Sequence, residues 1–323
     1  MKLYGFSETL QRAYARNDLE LAARLFVKEA KELGVDMGAL YQDLEMSYHY
    51  VQTHQDVSVQ GQIIAPHSHT FAELLLCRNT CGVEYLLGTE RVRLQRGDIL
   101  VIPVGVSHCP LMSGLTEPYR RDVLWISTAF LDSVGQLCPE LQQIQPYLLR
   151  TAGTKWDHLC NMFHSGVVEA AKKETGWETV IIGNTLQLLT FLMRASRDRS
   201  AVVPPMEKTE LLDQVVVYIK DNLADKITLA DTARRFYVSE STISHTFQEK
   251  LGVSFYRFVT QHRLIAAKEL ILRGAPMETV SQQVGFSSYS VFYRAFRQEY
   301  GISPRQFGKL PLNQGEQWRS GAL

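Results

Sequence analysis

GFSSYSVFYRAFRQEYGISPRQF (residues 285–307) and VSESTISHTFQEKLGVSFYRF (residues 238–258) are two versions of one pattern, 49 positions apart. Gly252-Val253-Ser254 with Phe258 falls on Gly301-Ile302-Ser303 with Phe307. Ser239, Ile243 and Phe247 fall on Ser288, Phe292 and Phe296. A fixed-period echo means that one supersecondary unit is built twice. Each copy reads as a short helix, a tight turn and a second helix, the geometry that lays a helix in the DNA major groove. The pair predicts a protein that reads DNA at two places.

In the first copy Thr228 caps a helix with Asp231 three residues on, a capping-box variant, and Ser239 caps the next helix. Ile243, Phe247 and Leu251, at i, i+4 and i+8, face the core. That leaves Ser241, Thr242, Ser244 and His245 outward on the early turns, where a recognition helix meets base edges. A long helix from about Ser254 to Arg273, closed by Gly274, separates the copies. The second copy turns at Gly285-Phe286 and is capped by Ser287 or Ser288. Val291, Phe292, Phe296 and Tyr300 are assigned to its core, and Tyr289, Ser290, Tyr293 and Arg294 point outward. Outward polar residues on one helix usually mean a solvated face; two such helices at a fixed repeat point to DNA. Arg294 suits two hydrogen bonds to a guanine edge, or a phosphate. Lys250, Arg257, Arg263 and Arg297 are expected on the DNA backbone.

Upstream the periodicity changes. Residues 1–44 carry helical spacing (Leu10, Leu19, Ala22, Ala23, Phe26, Ala30), with Asn17 and Glu20 marking the start of a second helix. Residues 45–130 break into short apolar or alternating runs, EYLLG, RVRLQ, DILVIP and VLWIS, punctuated at Gly88-Thr89 and Arg96-Gly97-Asp98. They predict close-spaced strands in a small barrel or sandwich. Helical spacing returns in 131–196, where Leu159, Phe163, Val167, Ile182, Leu186 and Leu189 form either a homodimer surface or a core. Residues 197–208, stiffened by Pro204-Pro205, read as a linker, 209–308 as the DNA-binding domain and 309–323 as a tail. The fold class is α+β multidomain.

Composition is ordinary for a globular chain, with 45% hydrophobic and 21% charged residues. Neither a membrane span nor a signal peptide is expected, so the protein is placed in the cytoplasm without a membrane partner. The formal net charge of zero hides an asymmetry. From residue 209 onward there are 14 basic and 11 acidic residues, leaving 34 − 14 = 20 and 34 − 11 = 23 before it. The C-terminal part is therefore +3 and the remainder −3, which suits modest phosphate contact. Five cysteines (Cys77, Cys81, Cys109, Cys138, Cys160) include no CxxC pair and read as reduced, buried thiols. A Cys77–Cys81 pair across a bend is the redox-sensing alternative.

On these residues, 210–308 closely resemble the AraC/XylS transcription regulators. GFSSYSVFYRAFRQEYGISPRQF is close to that family's signature, and VSESTISHTFQEKLGVSFYRFVTQHRLIAAKELI fits its first half. The resemblance implies a seven-helix domain whose recognition helices enter adjacent major grooves about one turn (~34 Å) apart. The positions matching the family's base-contacting residues are Ser241, Ser244 and His245, then Tyr289, Ser290, Tyr293 and Arg294. The usual final Tyr-Arg is Phe307-Gly308 here, which removes a cation. The implied partners are double-stranded DNA, RNA polymerase, a second copy of the chain and a small-molecule effector, carbohydrate-related by family habit, with activation as the outcome.

A second resemblance lies in residues 57–115. Gly61-x5-His67-x-His69-x3-Glu73 and Gly97-x5-Pro103-x-Gly105-x2-His108 resemble the two cupin motifs, with Met112 where the second commonly ends in Asn. In cupins the residues matching His67, His69, Glu73 and His108 line the barrel interior and hold a divalent metal. Imidazoles at i and i+2 of a strand face one side, and with a carboxylate they form an N3O set suited to Mn, Fe, Ni, Zn or Cu. The main expectation is a metal-free effector pocket in a regulator that is not an enzyme and has no cofactor. A sensory metal, or a cupin enzyme fused to a DNA-binding module, are the alternatives. Cys109 should point away from His108 across the strand, and Tyr85, Arg93 and Trp125 are further candidates to line the pocket.

Overall fold

A computed structural model of the chain describes residues 7–35, 37, 50–141 and 147–309. All but the first residue of the expected tail lies outside them. The chain opens on a helical hairpin. In α1 (Glu8–Ala15) Ser7 caps the amide of Leu10, and in α2 (Leu19–Glu32) Asp18 caps that of Leu21. The cap is Asp18 because Asn17 forms the turn between the helices, at φ 58. Leu10, Ala13, Ala22, Ala23, Phe26 and Ala30 fill the seam.

Two antiparallel sheets follow. The larger runs in the order β1 (Val51–Ser58), β7 (Tyr119–Ser127), β2 (Phe71–Cys77), β5 (Asp98–Ile102), β8 (Tyr147–Arg150) and β9 (Val202–Val203). The smaller runs β4 (Glu90–Arg93), β3 (Glu84–Leu87), β6 (His108–Leu111). Among the described residues no ladder closes them into one barrel; an isolated bridge pairs His67 with His108. The sheet domain also reaches beyond residue 130, because the expected helical region supplies β8 and the expected linker supplies β9. Asp98, fully buried, holds β8 through an ion pair with Arg150 (3.0 Å).

Helices α3 (Thr128–Leu137), α4 (His158–Lys172) and α5 (Trp177–Ser196) cover the outer face of the large sheet. Leu159, Phe163, Val167 and Leu189 are buried there and Ile182 and Leu186 are half-buried. The helices turn this apolar stripe to the sheet, so of the two readings offered for these residues the structure shows core packing. None of the helices in the described residues is long and apolar enough to cross a membrane.

The C-terminal region is a set of seven helices: α6 (Leu211–Asp221), α7 (Leu229–Arg235), α8 (Glu240–Leu251), α9 (Phe255–Leu272), α10 (Met277–Gln283), α11 (Tyr289–Tyr300) and α12 (Pro304–Phe307). Thr228, Ser239 and Ser288 cap α7, α8 and α11 through their hydroxyls, and Gly252 and Gly301 close α8 and α11 in the left-handed conformation. Phe247 and Phe296 are each fully buried at equivalent places, a burial worth about 1.5–3 kcal/mol apiece. Val291 departs from expectation at 37% exposed. Consecutive helical residues point about 100° apart, so with Phe292 in the core Val291 turns outward.

Candidate DNA-reading face and ligand cavity

The outward residues of both second helices stand as the repeat predicts. Ser241, Thr242, Ser244 and His245 on α8 are exposed, and so are Ser290 and Arg294 on α11. Tyr289 and Tyr293 are half-buried, with Tyr289 packed between the rings of Phe292 and Tyr293 at 6.1 Å from each. Ser241 and Thr242 share hydrogen bonds with the capping hydroxyl of Ser239, at 2.7 and 2.8 Å. The face is a row of short polar donors on α8 and of aromatic and guanidinium groups on α11. Val291, assigned to the core from its spacing, belongs to this face and offers a methyl surface of the kind that meets a thymine methyl.

The framework arginines divide. Arg263 is committed to structure: its guanidinium donates to the carbonyls of Leu223 (3.1 Å) and Asp225 (2.7 Å), and burial lowers its pKa. Arg257 is paired with Glu299 at 2.7 Å, tying α9 to α11. Lys250 lies 3.8 Å from Glu210. Arg297 is exposed.

Between the sheets lies a cavity of about 360 Å³. His67, His69, Glu73 and His108 meet in it, with Tyr85 and Trp125 in the same lining. Arg93 does not join them; it lies exposed and is paired with Glu84. The N-terminal hairpin closes the cavity with Tyr14 and Leu19, a contribution with no local signal in the sequence. Half-buried His54 and buried Arg121 also line it. Arg121 donates to Ser58 (2.9 Å) and pairs with Asp56.

The histidines share one device. His67 Nδ1 meets the Ala65 carbonyl at 2.9 Å, His69 Nδ1 that of Phe71 at 2.7 Å, and His108 Nδ1 that of Val106 at 3.0 Å. Donation from Nδ1 leaves each neutral ring with its lone pair on Nε2. The Nε2 atoms of His69 and His108 lie 3.5 and 3.2 Å from one Glu73 oxygen. One ligand atom from each of these three residues lies within 4.8 Å of the others. His67 stands alongside, its ring 4.3 Å from that of His108. Burial and the neighbouring imidazoles push the His67 pKa well down. Burial would raise Glu73, but the His108 and His69 rings hold it well below the usual carboxylate range.

The small sheet is a wall shared with the C-terminal helices. Along β6, His108 faces the cavity while Cys109 and Leu111 join a core with Val215, Ile243 and Phe247. On β3, Tyr85 lies inward and Leu86 in that same outer core. Arg91, 3% exposed on β4, binds Glu210 (2.8 Å) and Asp213 (3.2 Å) at the start of α6. Removing either partner of such a buried pair leaves an uncompensated charge. Between His67 and His69, the Ser68 carbonyl accepts from Lys268 Nζ on α9 at 3.3 Å; the same ammonium lies over the ring of Tyr300 at 5.1 Å. Gly252, which ends α8 at φ +69, packs so closely that an added Cβ would lie 2.7 Å from Ile63.

All five thiols are free; Cys77, Cys81 and Cys109 are buried. Burial pushes Cys77 up to about 12 and raises Cys81. Both shifts disfavour the reactive thiolate form.

A family model described as a helix-turn-helix domain matches residues 232–309. A probable transcriptional regulator, LumQ of Photobacterium leiognathi, is 35% identical over 129 residues, 39% of this chain and 49% of that protein. The chain thus spans about half the length of that relative. The arabinose operon regulatory protein of Salmonella typhimurium is 28% identical over 221 residues, 68% of this chain and 76% of that protein. Among solved structures, the C-terminal domain of AraT, a response regulator from Geobacillus stearothermophilus, is 27% identical with a TM-score of 0.31, over 32% of this chain and 87% of that one. The doubled, capped helical unit and the family match coincide: residues 232–309 are a helix-turn-helix domain.

Proposed function

We propose that the chain is a sequence-specific DNA-binding transcription regulator whose hold on DNA responds to a small molecule in the N-terminal cavity. The observation that carries the DNA reading is the pair of serine-capped helices, α8 and α11, each with an exposed polar face on its early turns. The arabinose-operon relative supports regulation, and its 221-residue match exceeds what residues 209–309 can hold, so the likeness extends into the preceding domain. The shared wall supports ligand response. A ligand shifts DNA affinity only as far as it binds two states differently. Here the His67-Ser68-His69 segment and β6 touch the cavity on one side and α9, α8 and α6 on the other. Aromatic rings beside Arg121, Asp56 and His54 suit a polar, ring-shaped effector of the carbohydrate class. We read the sheet pair as an opened cupin-like barrel that senses and does not turn over its ligand.

One observation favours a second reading, a divalent metal in a sensory role. With each Nδ1 turned to a backbone carbonyl, the Nε2 atoms of His69 and His108 converge on one Glu73 oxygen, an arrangement of donors that a cation would bridge. His69, Glu73 and His108, with His67 beside them, fit a borderline metal. Bound there, it would supply a Lewis-acid contact to effector oxygens.

The test is binding of the full chain to its own upstream DNA, with metal content assayed on the same preparation. Specific, salt-sensitive binding is expected, and Arg294→Ala should cost about 1–3 kcal/mol at its target while relaxing preference there. An equal loss on every duplex would make Arg294 a phosphate contact. Stoichiometric metal would select the second reading of the cavity. Absence of specific binding, with and without a panel of sugars, would overturn the regulator.

A further inference from the structure

Four residues link α7 to α8 and five link α10 to α11, and the two turns differ in kind at their left-handed position. In the second unit the position two after α10 is Gly285, at φ +83. It is glycine of necessity, since a Cβ there would lie 2.2 Å from the Leu223 carbonyl oxygen. The equivalent position two after α7 is Tyr237. The next amide confirms the match: Val238 bonds back to Ala233 at 3.0 Å, as Phe286 does to Ser281 at 2.9 Å. Tyr237 adopts the same left-handed backbone, φ 57, and its side chain is 96% exposed.

Bulky L residues rarely adopt this conformation, and glycine adopts it freely. A ring held in water gains no burial in return. The fold has no use for this side chain, and strain kept without a packing reason points to function. Its surroundings say which. Arg234 and Arg235 end α7, both exposed, and Ser239, Ser241 and Thr242 begin α8; the carboxylates nearby are Glu240 and Asp231, the latter 3.3 Å from Arg234. When the first turn of α8 enters a major groove, the residue two before its cap stands at the rim, where the phosphates run. Tyrosine hydroxyls are among the usual phosphate donors.

We propose that Tyr237 is a DNA-contacting residue: its hydroxyl donates to a phosphate oxygen at the edge of the groove that α8 enters, and its left-handed backbone aims it there. This rests on the reading of α8 as a DNA-reading helix.

The experiment compares full-length wild type, Tyr237→Phe, Tyr237→Gly and Arg294→Ala on the chain's own upstream duplex and on a mixed-sequence duplex of equal length. Thermal stability is measured alongside. Tyr237→Phe should weaken binding to both duplexes by roughly threefold to tenfold, equally, because a phosphate contact carries no sequence information. The salt dependence should stay unchanged, since no cation is lost. Tyr237→Gly should bind as weakly as Tyr237→Phe while its Tm equals or exceeds wild type, an outcome that a structural role cannot produce. Binding of both Tyr237 variants as tight as wild type, with Arg294→Ala weakened, would overturn this inference alone. A loss confined to one duplex would overturn it too, in favour of base reading. Wild type binding neither duplex would overturn it together with the DNA-binding function.

Discussion

The two helix-turn-helix units share the serine caps of their second helices and their buried phenylalanines, yet they belong to different cores. The first, through Ile243, Phe247 and Leu251, is continuous with Ala65, Leu86, Cys109 and Leu111 of the sheet domain. The second closes on itself, with Phe292, Phe296 and Phe307 packed beneath α9. One reading head is therefore welded to the cavity wall, and the other touches it through Lys268. The first unit therefore shares a packed wall with the cavity, and the second keeps a core of its own.

The difference can be broken most forcefully at the phenylalanines. Phe247→Ala and Phe296→Ala should each cost about 3–5 kcal/mol. Hydrogen exchange should show the first loosening β3 and β6 along with α8, while the second stays within α9–α12. Equal spread from both would erase the distinction. Next comes Gly285→Ala, where a Cβ meets backbone at 2.2 Å and φ is +83; a loss of roughly 3 kcal/mol is expected, seen as a lower denaturation midpoint. A neutral result would mean the turn of the second unit yields as readily as that of the first.

The smallest effect is a pH dependence inside α9. Burial, with Lys220 nearby, lowers His262 to about 4 from 6.5. Its Nε2 has no hydrogen-bond partner. The folded state then binds fewer protons than the unfolded state between those values, so stability is full above pH 6.5 and falls as pH drops toward 4. The slope is about 1.4 kcal/mol per pH unit at most. His262→Leu should flatten that part of the curve in denaturant titrations at stepped pH; an unchanged curve would assign the loss elsewhere.

What the sequence made legible was local or periodic. Thr228, Ser239 and Ser288 announce helix starts, and all three cap. His67 and His69, expected at i and i+2 of a strand, lie ahead of β2 and are joined to β6 by the His67–His108 bridge; the alternation holds for His108 and Cys109 on β6. Tyr289 and Tyr293 were placed outward but spend half their surface on neighbours, since a helical phase fixes direction and not depth. The rest depends on distant pairing. Tyr14 reaches the cavity from a separate hairpin, Lys268 reaches Ser68 across 200 residues, and β8 and β9 finish a sheet from inside stretches that look helical or irregular. No window of sequence contains both ends of such contacts. Closure of the sheets fails for a related reason, because motif residues specify the interior and leave the ladder between sheets unspecified.

The alternation along β6 has a practical consequence. Cys109 lies one residue from His108, on the outer side of the wall, 1% exposed and pushed by burial up to about 12. It is chemically silent for as long as the helices press on the sheet, and it becomes an ordinary thiol once they lift. The rate at which Cys109 takes up a thiol reagent thus measures how closely those helices sit on the small sheet, one residue along β6 from the cavity-facing His108.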